Sequence, residues 1–265
     1  MSARLDAELV RRGLATSRER AKEYIHSGSV TVNGTPAHKP SDTVSDSDDI
    51  KLIGETLKYV GRGGLKLEGA VKAFGIDLCG KTCLDIGAST GGFTDCMLQY
   101  GAVKVYAVDV GHDQLAEKLK SDARVVNIEG VNVKDLTPEL ISEPIDFISA
   151  DLSFISVRYA ADAAIRILKP SGEAVLLIKP QFEAGRKNLS KTGIVRDKKV
   201  HVEVLESLCG YFQSIGFSVK DVIPSPIKGG DGNIEYLAHL VKSDAFTSHS
   251  PDYKSIVQIA FSQKG

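Results

Sequence analysis

The stretch "CLDIGASTGGF", residues 83–93, decides the fold. It opens as a short β-rich run, ends that run at Asp85-Ile86-Gly87, and reaches Gly91-Gly92 where a helical pattern begins. Glycine is needed where backbone takes φ > 0 or closely approaches a ligand, and a helix amino terminus presents N–H groups with no partner inside the helix. A glycine turn between strand and helix is where an α/β sheet binds nucleotides. A dinucleotide fingerprint would read G-x-G-x-x-G, whereas the spacing here is Gly87-x-x-x-Gly91-Gly92.

Outward from this loop the chain alternates strands with helix-length segments. "KTCLDIG", "KVYAVDVG", "RVVNIEG", "IDFISADLSF" and "EAVLLIKPQF" read as strands, and "TDCMLQYG" and "VRYAADAAIRILKP" are of helix length. Such a βαβ series predicts a parallel sheet covered on both faces. After a helix at about 197–215, "SVKDVIPSPIKGGDGNIEYLAHLVKS" reads as two strands joined by a Gly/Pro loop, so the last strand is expected to run antiparallel. The fold class is therefore α/β, a Rossmann-like sheet with an antiparallel last strand, preceded by a small α+β domain.

That smaller domain lies at the amino end. In "RLDAELVRRGLATSRERAKEYIHSGSVTVNGTPAHKP" Leu5, Leu9 and Val10 mark one helix that Gly13 stops. Thr16 or Ser17 caps a second helix carrying Ala21, Tyr24 and Ile25, and "SVTVNGTPA" forms a strand turning at Asn33-Gly34. Residues 1–40 hold seven Lys/Arg against four Asp/Glu, although the whole chain is nearly balanced, 33 against 34. A basic head suits a polyanion, and "SDTVSDSDDI" after it reads as a solvated acidic turn. The four cysteines show no metal-ligand spacing with the six histidines, so no metal is expected and buried free thiols are. No apolar run approaches the ~18 residues of a membrane span, and a soluble cytoplasmic protein is expected.

The glycine loop, preceded by Asp85 and followed by Asp109 at the end of "VYAVD", 24 residues after Asp85, resembles motif I of S-adenosylmethionine-dependent methyltransferases. By that likeness Asp85 faces the methionine amino group and Asp109 the ribose hydroxyls. Transfer of a methyl group to a hydroxyl requires in-line placement and removal of a proton from a weak acid, so lysines and orienting carboxylates are expected at the carboxyl edge of the sheet. Asp151 ends one strand and Lys179 another. Glu235 begins the antiparallel strand at the same edge. Lys66, in the first turn of a helix opened by Gly63-Gly64 in "YVGRGGLKLEGAV", is the wrong charge for a helix amino terminus and can reach the same crevice.

The order Lys66, Asp151, Lys179, Glu235 resembles the catalytic tetrad of FtsJ-like 2′-O-ribose methyltransferases. With "RGGLKL", "LDIGASTGGFT", "ADLSFIS", "IKPQFE" and "GNIEY" behind a head similar to the RNA-binding module of ribosomal protein S-four type, the chain is similar to the TlyA (haemolysin A-like) family of rRNA 2′-O-methyltransferases. That likeness implies an S-four-like domain at 1–58, a linker at 59–63, a methyltransferase domain at 64–245 and a tail at 246–265 holding a short helix. It implies S-adenosyl-L-methionine as cofactor, held by Asp85, Gly87, Ser89, Gly91, Gly92, Phe93, Asp109 and Asn132. It further implies Lys179 as the base with Lys66, Asp151 and Glu235 around it, and Arg4, Arg12, Arg18, Arg20 and Lys22 facing RNA phosphates. The implied substrate is a cytidine 2′-hydroxyl of ribosomal RNA or ribosomal subunits, in 23S and as a further candidate 16S RNA. The linker departs from the family's Arg-x-Trp-Val by reading "LKYV" at Leu57 to Val60. "KPQFEAGRKNLSKTGIVRD" is a long basic loop that either covers the substrate strand or lies free, and Phe154 and Phe182 are placed to stack on a base or to pack inside. The competing readings are a cytolysin, with "DYKSIVQIAF" as its membrane-facing candidate, and an RNA-binding ribosome factor without activity.

Overall fold

Alternation of buried side chains along short strands, interrupted by glycine turns, yields two separate units in the computed structural model, Met1–Arg62 and Gly63–Gly265. The structure describes residues 2–15, 17–26, 28–37, 39–52, 58–229, 232–243 and 251–263, with the side chains of Glu19, Arg20, Glu23 and His26 excepted. Thr16, Leu57, the side chain of Arg20, the last two residues of the expected methyltransferase domain (244–245), and residues 246–250 and 264–265 of the expected tail lie outside the described set.

The first unit runs β1 (Ser2–Arg4), α1 (Leu5–Arg11), α2 (Arg18–His26), β2 (Val30–Val32), β3 (Thr35–Pro36), β4 (Thr43–Ser45) and β5 (Ile50–Leu52). Leu5 and Leu9 of α1 meet Ala21 and Ile25 of α2 in a small apolar core with Val30, Val44 and Ile50. Asn33 and Gly34 both take positive φ, 52° and 80°, which matches the right-handed twist of the β2–β3 hairpin. The acidic stretch differs from its expectation as a solvated turn. It supplies β4, antiparallel to β1, and leads into β5, antiparallel to β2, because Val44 and Ile50 alternate inward between the aspartates. Arg12 binds it from inside the unit: its guanidinium donates to the carbonyls of Asp48 at 2.7 Å and Ser45 at 3.0 Å, and to Glu8 at 2.6 Å.

The second unit begins with α3 (Gly63–Phe74) and alternates β6 (Thr82–Ile86), α4 (Gly92–Gln99), β7 (Lys104–Asp109), α5 (Glu117–Lys120), β8 (Val125–Glu129), β9 (Ile145–Ala150), α6 (Arg158–Ile167) and β10 (Leu168–Ile178). It ends with α7 (Pro180–Glu183), α8 (Lys198–Ser214), β11 (Phe217–Pro224), β12 (Tyr236–Lys242) and α9 (Tyr253–Ser262). The strands form one seven-stranded sheet in the order β11-β12-β10-β9-β6-β7-β8. Among the described strands of this sheet β12 runs opposite to the other six, as the sequence predicts for the last strand.

Side chains alternate across this sheet. Leu84, Ile148 and Leu176 enter a core shared with α6, α8 and α9, to which α9 contributes Val257 and Ala260. Asp85 and Ser149 point the other way, where Met97 of α4 lies 3.7 Å from the Ser149 hydroxyl. Register then places the site. Ile86 pairs with Ala150, and Ile178 pairs with Tyr236, so Gly87, Asp151, Lys179 and Glu235 all leave the sheet at one edge.

Arg12→Ala should lower the stability of the first unit by about 1–3 kcal/mol, because the carbonyls of Ser45, Asp46 and Asp48 lose a donor and Glu8 keeps only Arg11. Thermal denaturation of the intact chain measures this, and an unchanged first-unit transition would contradict it.

Candidate active site

Four strand and helix ends carry the polar cluster. Lys66 sits in the first turn of α3, only 8% exposed, and its Nζ donates to Glu235 Oε2 at 2.6 Å. A cation at the positive end of a helix, out of water, requires a counter-charge, and the residue before β12 provides it. Lys66 Nζ also lies 3.9 Å from Asp151 Oδ2, while Lys179 Nζ lies 2.5 Å from Asp151 Oδ1. The Lys179–Asp151 contact is an ion pair without the angles of a hydrogen bond; the hydrogen bond of Lys179 Nζ goes to Ser153 Oγ at 2.9 Å. Acidic and basic side chains therefore alternate along Glu235, Lys66, Asp151 and Lys179.

Backbone without side chains makes this arrangement fit. A Cβ on Gly229 would come to 2.1 Å from Glu235 Oε1, and one on Gly69 of α3 to 2.8 Å from Pro226 Cγ. The β11–β12 loop thus lies directly on α3, closed by Ser225 N donating to Glu235 O at 2.8 Å. Behind Glu235, the Tyr236 hydroxyl meets His201 Nδ1 at 2.9 Å, and His201 Nε2 meets the carbonyl of Val195 at 3.0 Å. Since a carbonyl only accepts, Nε2 carries the proton and Nδ1 accepts from Tyr236. Burial holds this imidazole below its ordinary pKa, favouring that neutral form.

Beside the cluster lies a cleft of about 350 Å³, whose walls include Ser89, Asp109, Asn132, Asp151 and Phe154. Gly87 and Ser89 of the glycine loop form its floor, with Gly91 behind them. Gly87 has φ +82°, and a Cβ there would stand 2.5 Å from the carbonyl oxygen of Asp151; at Gly91, φ +94°, it would stand 2.2 Å from Leu119 Cδ1. Asp109, at the end of β7, is fixed by two backbone donors, Ser89 N to Oδ2 at 2.8 Å and Gly111 N to Oδ1 at 2.7 Å. Asn132 Oδ1 accepts from Lys134 N at 3.0 Å. Gly92 opens α4, and Phe93 is buried close to Gly63; neither is on the cleft wall.

Asp85 is also absent from that wall. It is wholly buried beneath the loop, accepting from Thr94 Oγ1 at 2.7 Å and Ser149 Oγ at 3.2 Å. In the first unit, Arg4 and Arg18 both pair with buried Asp6 while their own side chains remain 51% exposed. The Arg4 hydrogen bond first, and then that of Arg18, hold the Asp6 carboxyl at about 2. Lys22 is partly exposed. Cys79 is exposed, unlike the buried Cys83, Cys96 and Cys209.

Residues that the sequence pattern did not single out are Ser153, Gly69, Gly229 and His201. Of these the glycines alone leave a trace, a residue without Cβ at helix and loop positions that no turn demands.

Known proteins resemble this chain over most of its length. The model of the FtsJ-like methyltransferases matches residues 59–242, and that of the S4 domain matches residues 3–50. The chain belongs to the FtsJ-like methyltransferase family. Relatives of this FtsJ-like chain include the Mycobacterium tuberculosis protein named 16S/23S rRNA (cytidine-2'-O)-methyltransferase TlyA, 43% identical over 90% of this chain and 89% of its own. Hemolysin A of Brachyspira hyodysenteriae is 46% identical over 90% of this chain and 99% of its own. A solved structure of a candidate hemolysin from Streptococcus thermophilus, 45% identical, aligns with a TM-score of 0.80 over 98% of this chain and 96% of its own.

Burial, against the hydrogen bonds of Thr94 and Ser149, pushes the Asp85 carboxyl up to about 7. A carboxyl raised on folding adds stability that is full below its unfolded value near about 4 and is lost as pH rises through the folded one. Asp85→Asn keeps an acceptor and cannot ionise, so it should lose less stability than the parent chain between about pH 5 and pH 8. Calorimetric melting at both pH values checks this; parallel shifts in the two proteins would contradict it.

Proposed function

We propose that the chain transfers the methyl group of S-adenosyl-L-methionine to a cytidine ribose 2′-hydroxyl in ribosomal RNA. The observation that carries the reading is the alternating chain Glu235–Lys66–Asp151–Lys179 at the mouth of a glycine-floored cleft. The cleft suits the cofactor: Gly87 leaves backbone bare on its wall where a Cβ has no room, and Asp109 is held at the cleft by two amides. Ser89, Asp109 and Asn132 would hold it there, and when bound it supplies a methyl group whose bonding electrons leave on sulfur. Asp85 would act from beneath, fixing the loop through Thr94 and Ser149.

The 2′-hydroxyl is a weak acid, and its oxygen needs a proton acceptor as the new bond to carbon forms. Lys179 Nζ takes that role in its unprotonated form, accepting the hydroxyl proton. Asp151 aims the amine, and Ser153 fixes it from the other side. Lys66 holds Asp151 in place and is itself held by Glu235, so that a fixed cation faces the oxygen as negative charge develops. Phe154, on the cleft wall and 91% exposed, offers a flat ring to the base of the nucleotide being modified. Arg4 and Arg18 keep exposed guanidinium surface for RNA phosphates, with Asp6 setting their direction. The names of the Mycobacterium tuberculosis relative support cytidine and ribosomal RNA as the class.

The cytolysin reading draws on the name of the Brachyspira relative. Here, among the described residues, no helix is long and apolar enough to cross a membrane. The expected membrane-facing stretch forms α9, whose Val257 and Ala260 are buried against the sheet.

Incubation with ribosomal RNA and methyl-labelled S-adenosylmethionine, followed by nucleoside mass spectrometry, should yield 2′-O-methylcytidine; label on a base would contradict the reading. Lys179→Ala should abolish the product and leave cofactor affinity within about threefold, whereas Asp109→Ala should weaken that affinity by about tenfold or more. Calorimetric titration separates them: equal affinity losses would refute the division of labour.

A further inference from the structure

The segments that leave β9 and β10 are joined rung by rung. Lys179 reaches back to Asp151 and Ser153. The Phe182 ring meets that of Phe154 with centroids 5.2 Å apart and planes at 47°. Glu183 completes the ladder with both oxygens, Oε1 accepting from Val157 N at 2.7 Å and Oε2 from Ser156 Oγ at 2.8 Å. Between these rungs the backbone is strained. Phe154 has φ +66°, a region bulky side chains rarely occupy, and with 91% exposure its own burial cannot keep it there. Such a conformation persists only where its surroundings over-determine it. Beside the local bond of Arg158 N to Ser156 Oγ at 3.2 Å, side-chain hydrogen bonds from the segment after β10 hold the turn, that of Lys179 before it and those of Glu183 after it.

We propose that Glu183 is a positioning residue for the transfer reaction: it fixes the turn at 153–156 so that the Phe154 ring and the Ser153 hydroxyl stand against Lys179 in the arrangement the reaction uses. This rests on the functional reading above. Glu183 touches neither the cleft nor the amine; it acts through the turn. The last residue of the "IKPQFE" motif thereby gains a role that the tetrad does not supply. If Glu183 served only to cap the start of α6, its loss would lower stability and leave the geometry at Phe154 unaltered.

The chain contains no tryptophan, so Phe154→Trp introduces a single fluorescent reporter at the turn. Its anisotropy should fall when Glu183→Ala is added and should be retained with Glu183→Gln, since glutamine can accept from Val157 N and donate to Ser156 Oγ. With Phe154 intact, Glu183→Ala should slow single-turnover methylation by about tenfold or more, as misplacement of reacting groups does. At a temperature well below melting, its affinity for S-adenosylmethionine should stay within about threefold, and Glu183→Gln should restore most of the rate. Equal anisotropy in the alanine and parent backgrounds, an unimpaired alanine variant, or a glutamine variant as slow as alanine would each overturn the proposal. Should the parent protein make no 2′-O-methyl product, the functional reading fails by itself, and the anisotropy alone then decides whether Glu183 holds the turn.

Discussion

The contact between Lys66 and Glu235, 2.6 Å long and spanning 169 residues of sequence, is the constraint on which the rest of the site depends. It places a cation in the first turn of a helix, where the dipole opposes it, and out of water, where it cannot remain uncompensated. Removing one member of such a buried pair costs about 3–5 kcal/mol, because the other is left stranded. Everything around the pair answers that demand. The antiparallel direction of β12 brings the residue before it to the edge where β9 and β10 end. Gly229 gives the Glu235 carboxylate room, and Gly69 lets the loop carrying it lie on the helix that carries Lys66.

From this pair the ionic contacts run outward to Asp151 and Lys179. Lys66 lies within ion-pair distance of Asp151, and Asp151 of Lys179, so the Lys179 amine is tied to a chain of side chains reaching back into the protein. The strand register makes the chain short. Ile86 beside Ala150 sets Gly87 against the Asp151 carbonyl, and the cleft and the polar cluster share Asp151 as a common wall. Cleft and cluster are thus built around the same turn.

The fold was largely legible because its signals are local. Strand periodicity, the Gly87-x-x-x-Gly91-Gly92 spacing and the Asn33-Gly34 turn each act within a few residues. The convergence of Lys66, Asp151, Lys179 and Glu235 was legible too, since sheet direction fixes which strand ends meet. Asp85 was harder to read: one residue of alternation separates a carboxylate facing the cleft from one facing Thr94 and Ser149, and sequence spacing is silent on that choice. Arg12 looked like a phosphate ligand because its partners are backbone carbonyls, which sequence does not display. The acidic stretch hid two strands for a related reason, its inward Val44 and Ile50 being too few to show a period. Ser153, Gly229 and Glu183 matter through contacts with segments distant in sequence, and the strained φ at Phe154 has no counterpart in composition.

The central claim is that Lys66 and Glu235 act as one unit in aiming the reacting groups. A double-mutant cycle measures this directly, using single-turnover methylation rates of the parent chain, Lys66→Ala, Glu235→Ala and the double variant. Residues that work only together are grossly non-additive, so the double variant should be about as slow as the slower single variant. Losses that simply multiply would show that the two side chains act independently and would contradict the account.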